Sequence, residues 1–353
     1  MLTKHQDLLD LLLDIIKTEY ADDVAVMFIY GSCVNGTANE KSDLDMIFIP
    51  KTKRGRKLAK AFILDGIGYD LWGASWGTLE KFARFDDMKV SVVADSRLVY
   101  CASEKDRQKY ETLVNRAGAI AKGPLTRDLI RKAEDHFNKA KHYYDELRGE
   151  MHLVAVGGIM MELCNVVCLL NHTYLRFGCK RVIEELTALE KLPEDFISIY
   201  SSVIEHTETA QKNCAALISI TEQFLQSATN KKTAIHRSLR MEKGKSSLIS
   251  DFTGLYEEIS SHWNKIRVSC ANDDAMYAFF SAVFLQHDLD RVQESIEVPI
   301  PAFNFIDQFN IRNLSALVMA ADKAELAFVD LLESKGVPIV RYDTLEQLRQ
   351  SFA

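Results

Sequence analysis

Hydrophobic and polar positions alternate along the chain with two periods, and the change from one to the other divides the sequence. Residues 3–20 carry apolar side chains at helical spacing, which predicts an amphipathic helix. Short runs of strand-forming residues follow, bounded by Gly, Pro or Asp, at 24–30, 43–49 and 67–72. From Glu104 onward the spacing is almost wholly helical. This order predicts an α/β (α+β) N-terminal domain with a mixed sheet, followed by a mostly helical C-terminal region.

The segments between these strands carry weaker signals. Residues 31–37 predict a turn that opens into a short helix, and the basic residues 53–64 predict another helix. A Ser75 cap predicts a helix over 75–85, and 91–101 predicts a fourth strand. The later helical stripes and a short strand are predicted at 103–121, 125–148, 151–177, 195–228 and 337–342.

Composition and charge exclude several classes of protein and of site. The 353 residues are 47% hydrophobic and 26% charged, with a net charge of −7, which argues against a nucleic-acid backbone as the main partner. The seven cysteines are scattered and form no CxxC pair, which excludes a disulfide framework and a zinc-ligand pattern. A reducing, cytoplasmic location fits this cysteine usage best.

The most apolar segment, residues 153–170, is nearly long enough to span a bilayer. It contains Glu162 and Asn165 and lies among amphipathic stretches, so we predict a buried central helix and no membrane contact. A buried acid needs a partner, and Arg176 or Lys180 is the predicted partner of Glu162.

Candidate chemistry is concentrated near the predicted strands. Asp43 and Asp45 are two positions apart on one predicted strand, so their side chains should point to the same face. Asp70 lies on the next predicted strand, and Gly31-Ser32 ends the first one. Each piece is common by itself. In this order, however, two same-face acids at the start of a core strand indicate that something binds them.

A divalent cation is the simplest binding partner for such a group. Magnesium prefers oxygen ligands and relieves the repulsion between neighbouring carboxylates. A third carboxylate completes a site for two metal ions, an arrangement suited to in-line phosphoryl displacement. Gly31 lets the backbone approach a triphosphate, and Ser32 offers a hydroxyl and backbone N–H groups to the triphosphate oxygens.

The order Gly31-Ser32, Asp43-Leu44-Asp45 and Asp70 resembles the signature of the DNA polymerase beta-type nucleotidyltransferase superfamily. The short first domain followed by helices resembles its small bacterial branch, which includes aminoglycoside (kanamycin-type) and lincosamide nucleotidyltransferases. The motif resemblance covers about residues 22–75.

The resemblance implies a metal-dependent transfer of an NMP, with AMP favoured, from an NTP to a hydroxyl of a small-molecule acceptor, with release of pyrophosphate. Gly31 and Ser32 would hold the triphosphate. Asp43, Asp45 and Asp70 would be the catalytic residues and the ligands of a two-ion Mg²⁺ site, although an acid of the helical region is an alternative general base. Resistance-type antibiotics are acceptors that the resemblance suggests.

The resemblance also suggests a division of the chain. Residues 1–122 would be the catalytic domain, 123–229 a helical domain lining the acceptor cleft, 230–247 a linker and 248–353 a C-terminal helical region. Modification of a protein or tRNA end, as in antitoxin-like members, and a non-catalytic nucleotide sensor or scaffold remain alternatives. Nucleic-acid and protein acceptors are less favoured, and a homodimer is left open.

Overall fold

A computed structural model describes residues 1–147, 152–229 and 252–352. The described residues form two compact units. The first comprises Met1–Ala119, Leu248–Asn264 and Val329–Ala353, and the second comprises Ile120–Ser247 and Lys265–Phe328. The predicted linker 230–247 lies outside the described residues. The other predicted domain boundaries stay predictions, because compactness does not test whether a segment folds independently.

The first unit is built on a six-stranded mixed sheet with the strand order β5-β1-β2-β4-β3-β6. The strands are β1 Val24–Tyr30, β2 Asp45–Pro50, β3 Lys60–Leu64, β4 Ile67–Gly73, β5 Arg97–Cys101 and β6 Arg341–Tyr342. The β2–β4 and β3–β6 pairs are parallel, and the other three pairs are antiparallel. A mixed sheet followed by a mostly helical region confirms the predicted fold class.

Helices make up most of the remaining described structure. They are α1 Thr3–Glu19, α2 Ser32–Asn35, α3 Trp76–Ala83, α4 Ser91–Ala94, α5 Glu104–Lys122, α6 Arg127–Glu146, α7 Leu153–Leu170, α8 Val182–Thr187, α9 Phe196–Glu205, α10 Ala210–Thr229, α11 Leu255–Ala271, α12 Ala275–Ile296, α13 Leu314–Ser334 and α14 Leu345–Gln350. Two predictions were too coarse, since 91–101 divides into α4 and β5, and 195–228 divides into α9 and α10.

The sheet has an apolar core on each face. On one face, the apolar stripe of α1 packs with alternate residues of the central strands, such as Met46 and Leu71. On the other face, residues of α3, α4 and α5 pack against Phe28 and Ile47. Because neighbouring strand residues point to opposite faces, Asp45 and Asp70 lie on the α3–α5 side. The two cores thus fix the face on which these carboxylates lie.

The predicted basic helix over 53–64 is wrong. A short 3₁₀ turn at Gly55–Leu58 leads into β3, which forms an antiparallel hairpin with β4. Asp65 and Gly66 connect the strands with φ angles of 52° and 71°. Two central residues with positive φ define a type I′ turn, for which Asp-Gly is a favoured sequence. The turn and the buried apolar residues of β3 outweigh the helical propensity of its basic neighbours.

The last strand and helix of the chain complete the first unit. β6 pairs with β3 at the edge of the sheet, through Ile63 and Arg341. The Nζ of Lys60 donates to the backbone carbonyl of Ser351 at 2.7 Å, and Leu348 of α14 joins the core beside α1. The short strand predicted at 337–342 is therefore confirmed, as Arg341–Tyr342, and lies at the edge of the sheet.

In the second unit, α7 is the most apolar helix. By length and composition it could cross a bilayer, but 78% of this segment is buried within the fold, as predicted for a core helix.

The predicted partner of Glu162, a residue of α7, was the wrong residue. The Oε2 of Glu162 lies 2.5 Å from Nδ1 of His136 on α6, and both side chains are buried. A pair between adjacent helices satisfies both polar groups within an apolar environment.

Candidate active site

A sharp turn joins β1 to α2 and holds the predicted triphosphate residues. Gly31 has φ +66° and ψ −148°, a conformation that favours glycine. A Cβ atom at this position would overlap the carboxylate of Asp45. Gly31 therefore permits both the turn and the close approach of an acidic side chain. Ser32 is the first residue of α2, directly after this turn.

Asp45 and Asp70 lie side by side on parallel strands. Asp45 is the first residue of β2, and Asp70 lies within β4. The register pairs Met46 with Leu71. Asp45 and Asp70, which precede them, are therefore neighbours on the same face of the sheet. Tyr30 of β1 pairs with Asp45 from the other side. Three adjacent strands thus present a phenol and two carboxylates in one row.

Asp43 lies outside strand β2, although it was predicted to lie within that strand. β2 begins at Asp45, and Asp43 belongs to the loop that precedes it. Leu44, between the two acids, is buried in the same core as Met46. The strand was predicted two residues too long, and because Asp43 lies in a loop, the shared face of the two acids stays a prediction.

The three acids act together on the hydroxyl of Tyr30. Burial raises the pKa of Tyr30 well above its usual value, and the negative charges of Asp45, Asp43 and Asp70 raise it further. The phenol therefore keeps its proton at any ordinary pH. A common effect on one hydroxyl indicates that all three carboxylates contribute negative potential to the same place.

The titration of Asp70 itself is shifted. Burial raises its pKa from 3.8 to about 6, and the nearby negative charge of Glu258 raises it as well. Glu258 lies on α11, which packs closely on β4, since a Cβ at Gly68 would overlap Ser260 and the carbonyl of Glu257. The described structure thus brings a fourth acid, from a distant part of the chain, near Asp70.

The predicted ligands fit a divalent cation by their chemistry. Carboxylate oxygens are the donors that magnesium prefers, and three of them share one region of negative potential. Within the ranges that the structure describes, no group of three or more His, Cys, Asp or Glu side chains forms a preassembled metal site. The donor types support the prediction of a hard cation, while the ion and its ligands stay predictions.

The geometry agrees with what comparison of the sequence shows. Residues 9–100 match the family model for a nucleotidyltransferase domain. This part of the chain is a nucleotidyltransferase domain. The protein is accordingly a transferase of phosphorus-containing groups, and the predicted superfamily is supported. No protein of curated function matches the chain. The kanamycin-type and lincosamide branch stays a prediction.

Several residues near the candidate site were missed by the sequence analysis. Tyr30 looked like the last residue of a strand, and Glu258 lies far from the motif in sequence. His5 was the most detectable, because it is a polar residue on the apolar stripe of α1 and is completely buried. A buried histidine needs hydrogen-bond partners, which is a signal that the sequence alone contains.

Proposed function

We propose that the nucleotidyltransferase domain transfers an NMP, preferably AMP, from an NTP to a hydroxyl of a small molecule and releases pyrophosphate. NMP transfer follows from the family of the domain. The preference for ATP and for a small acceptor, with antibiotics among the candidates, rests on the resemblance to the small bacterial branch.

The single observation that carries the site assignment is the row that Tyr30, Asp45 and Asp70 form across β1, β2 and β4. Asp45 and Asp70 are neighbours in a parallel register, and Gly31 lies directly against Asp45. A triphosphate held at the Gly31 turn would therefore lie directly beside these carboxylates and any cation that they bind. Positioning of this kind, with neutralisation of charge, supplies most of the catalysis in phosphoryl transfer.

Each residue has a role that its position supports. The turn at Gly31 and Ser32 would bind the triphosphate through backbone N–H groups and the serine hydroxyl. Asp43 and Asp45 would hold the cation, which when bound neutralises phosphate charge and makes the attacked phosphorus more electrophilic. Asp70 would hold a cation or orient the acceptor hydroxyl. Its raised pKa also makes it able to exchange a proton near neutral pH.

The proposal is tested by transfer of label from each of the four α-labelled NTPs in the presence of Mg²⁺. The acceptor panel contains aminoglycosides, lincosamides, tRNA and a protein extract. Asp45→Asn removes one carboxylate of the row, and Asp7→Asn is the matched control, because Asp7 is exposed on α1. The expected result is a labelled small molecule with wild type and with Asp7→Asn, and none with Asp45→Asn.

Other outcomes would redirect the assignment. Label on tRNA or protein would retain the chemistry and refute the small-molecule acceptor. NTP binding without transfer to any acceptor would favour a sensor. Equal transfer by wild type and Asp45→Asn would contradict the placement of the catalytic site.

A further inference from the structure

His5 of α1 joins the two parts of the proposed site. It is completely buried and lies on the apolar stripe that packs under the sheet. Its Nε2 lies 2.9 Å from the carbonyl oxygen of Ser42, and its Nδ1 lies 3.1 Å from Sγ of Cys33. Cys33 directly follows Ser32 of the turn, whereas Ser42 directly precedes Asp43. One imidazole therefore contacts both the triphosphate turn and the loop that carries the first acid.

The chemistry of the partners fixes the direction of both hydrogen bonds. A carbonyl oxygen only accepts, so Nε2 carries a proton and donates it to Ser42. Burial lowers the pKa of His5, which favours the neutral ring, and Nδ1 is then the acceptor. Because Nδ1 is the acceptor, the thiol of Cys33 is the donor of the second hydrogen bond. The chain of donors runs from Cys33 through His5 to Ser42.

Two further contacts bring the same segments together. Sγ of Cys33 lies 3.5 Å from the carbonyl oxygen of Asp43 itself. The Nζ of Lys4, next to His5, donates to the carbonyl of Glu40 and lies 3.8 Å from its carboxylate. The beginning of α1 thus holds the loop before β2 at several points, close to the backbone of the first proposed metal ligand.

We propose that His5 is a positioning residue for nucleotide transfer, holding the Asp43 loop and the Ser32 turn in the mutual arrangement that the cation and the triphosphate require. The inference rests on the proposed function, since it assumes that Asp43 and Ser32 act on these ligands. His5 contacts neither substrate nor cation and acts through the backbone of Ser42 and the thiol of Cys33. Replacing a residue that orients a metal ligand without touching the metal typically lowers metal affinity or activity by about 10–100-fold.

Two substitutions separate the two hydrogen bonds. In His5→Gln the terminal amide nitrogen lies where Nε2 was and can still donate to Ser42. In His5→Asn the shorter side chain reaches only the region of Nδ1. The first variant should keep kcat within a few-fold of wild type, whereas the second should lose about 10–100-fold in kcat and need more Mg²⁺ for half-maximal rate. Leu8→Ala is the control for general destabilisation, because Leu8 is buried on the same helix.

A binding measurement gives a readout that does not depend on turnover. Mn²⁺ binding to the protein without nucleotide, followed by electron paramagnetic resonance, should weaken about 10-fold in His5→Asn. It should be preserved in His5→Gln and in Leu8→Ala at a temperature where all variants are folded. Equal values for the two His5 variants, or equal losses in His5→Asn and Leu8→Ala, would overturn the positioning role.

The outcomes also separate this inference from the proposed function. Wild-type protein that binds Mn²⁺ without transferring a nucleotide would refute the proposed reaction and still test His5 by binding. Wild-type protein that neither binds Mn²⁺ nor transfers a nucleotide would refute both. Active wild type with unchanged His5→Asn would refute the role of His5 alone.

Discussion

Replacing Asp70 by asparagine should stabilise the metal-free protein at neutral pH while it impairs the enzyme. The pKa of Asp70 is raised from 3.8 to about 6, so its charged form is disfavoured in the folded state. The folded state with a protonated Asp70 is favoured. This contribution to the free energy of unfolding is fully present below about pH 4 and is lost as the pH rises through about 6. The shift corresponds to roughly 3 kcal/mol, and partial solvation of the side chain reduces the expected effect to about 1–3 kcal/mol.

The assay is urea unfolding without metal, at about pH 7.5 and about pH 4.5, the range in which this linkage acts. All three tryptophans lie in the first unit, so their fluorescence reports on the unit that contains Asp70. Asp70→Asn should exceed wild type in the free energy of unfolding at the higher pH, and by a clearly smaller margin at the lower pH. Asp7→Asn, exposed on α1, should show neither difference. Lower stability of Asp70→Asn at about pH 7.5 would refute the reasoning.

The remaining predictions concern Glu258, Gly31 and Glu162. Glu258→Gln removes the negative charge that helps to raise the pKa of Asp70, so NMR titration of the Asp70 carboxyl without metal should give a lower pKa than in wild type; an unchanged value would contradict this electrostatic contact. Gly31→Ala should abolish transfer and destabilise the fold by about 1–3 kcal/mol in urea unfolding, because of its positive φ and the overlap with Asp45. Glu162→Ala should cost about 1–3 kcal/mol, measured by circular dichroism, because it leaves a buried histidine without its hydrogen-bond partner, whereas Glu162→Gln should cost less.

The sequence contained enough information for the central strands and the acidic site. A buried strand ending in Gly-Ser, and acids two positions apart before an apolar run, are local patterns, and local patterns predict local structure well. The hairpin over β3 and β4 was also encoded locally, by Asp65-Gly66 between apolar runs. It was missed because residues 53–64, which begin with a basic run, were interpreted as a helix, and the turn signal was given too little weight.

Other features depend on contacts between distant parts of the chain. Nothing near Glu258 in sequence indicates that α11 packs against Gly68, so this acid could not be placed by any local pattern. The pairing of Glu162 with His136 has the same origin, since two helix faces meet and the sequence states only that each residue needs a partner. Charge alone favoured Arg176 or Lys180, whereas the packing of α6 on α7 decides the partner.

The pairing of β6 with β3 has a consequence for synthesis of the protein. Lys60 and its hydrogen-bond partner Ser351 are 291 positions apart, so the catalytic sheet cannot be completed until nearly all the intervening chain has been translated. At about 5–20 residues per second, β3 remains an open edge for roughly 15–60 s. Open strand edges recruit other chains, which makes this interval the period of greatest aggregation risk and an opportunity for chaperones. A recombinant fragment limited to residues 9–100 would retain that open edge permanently.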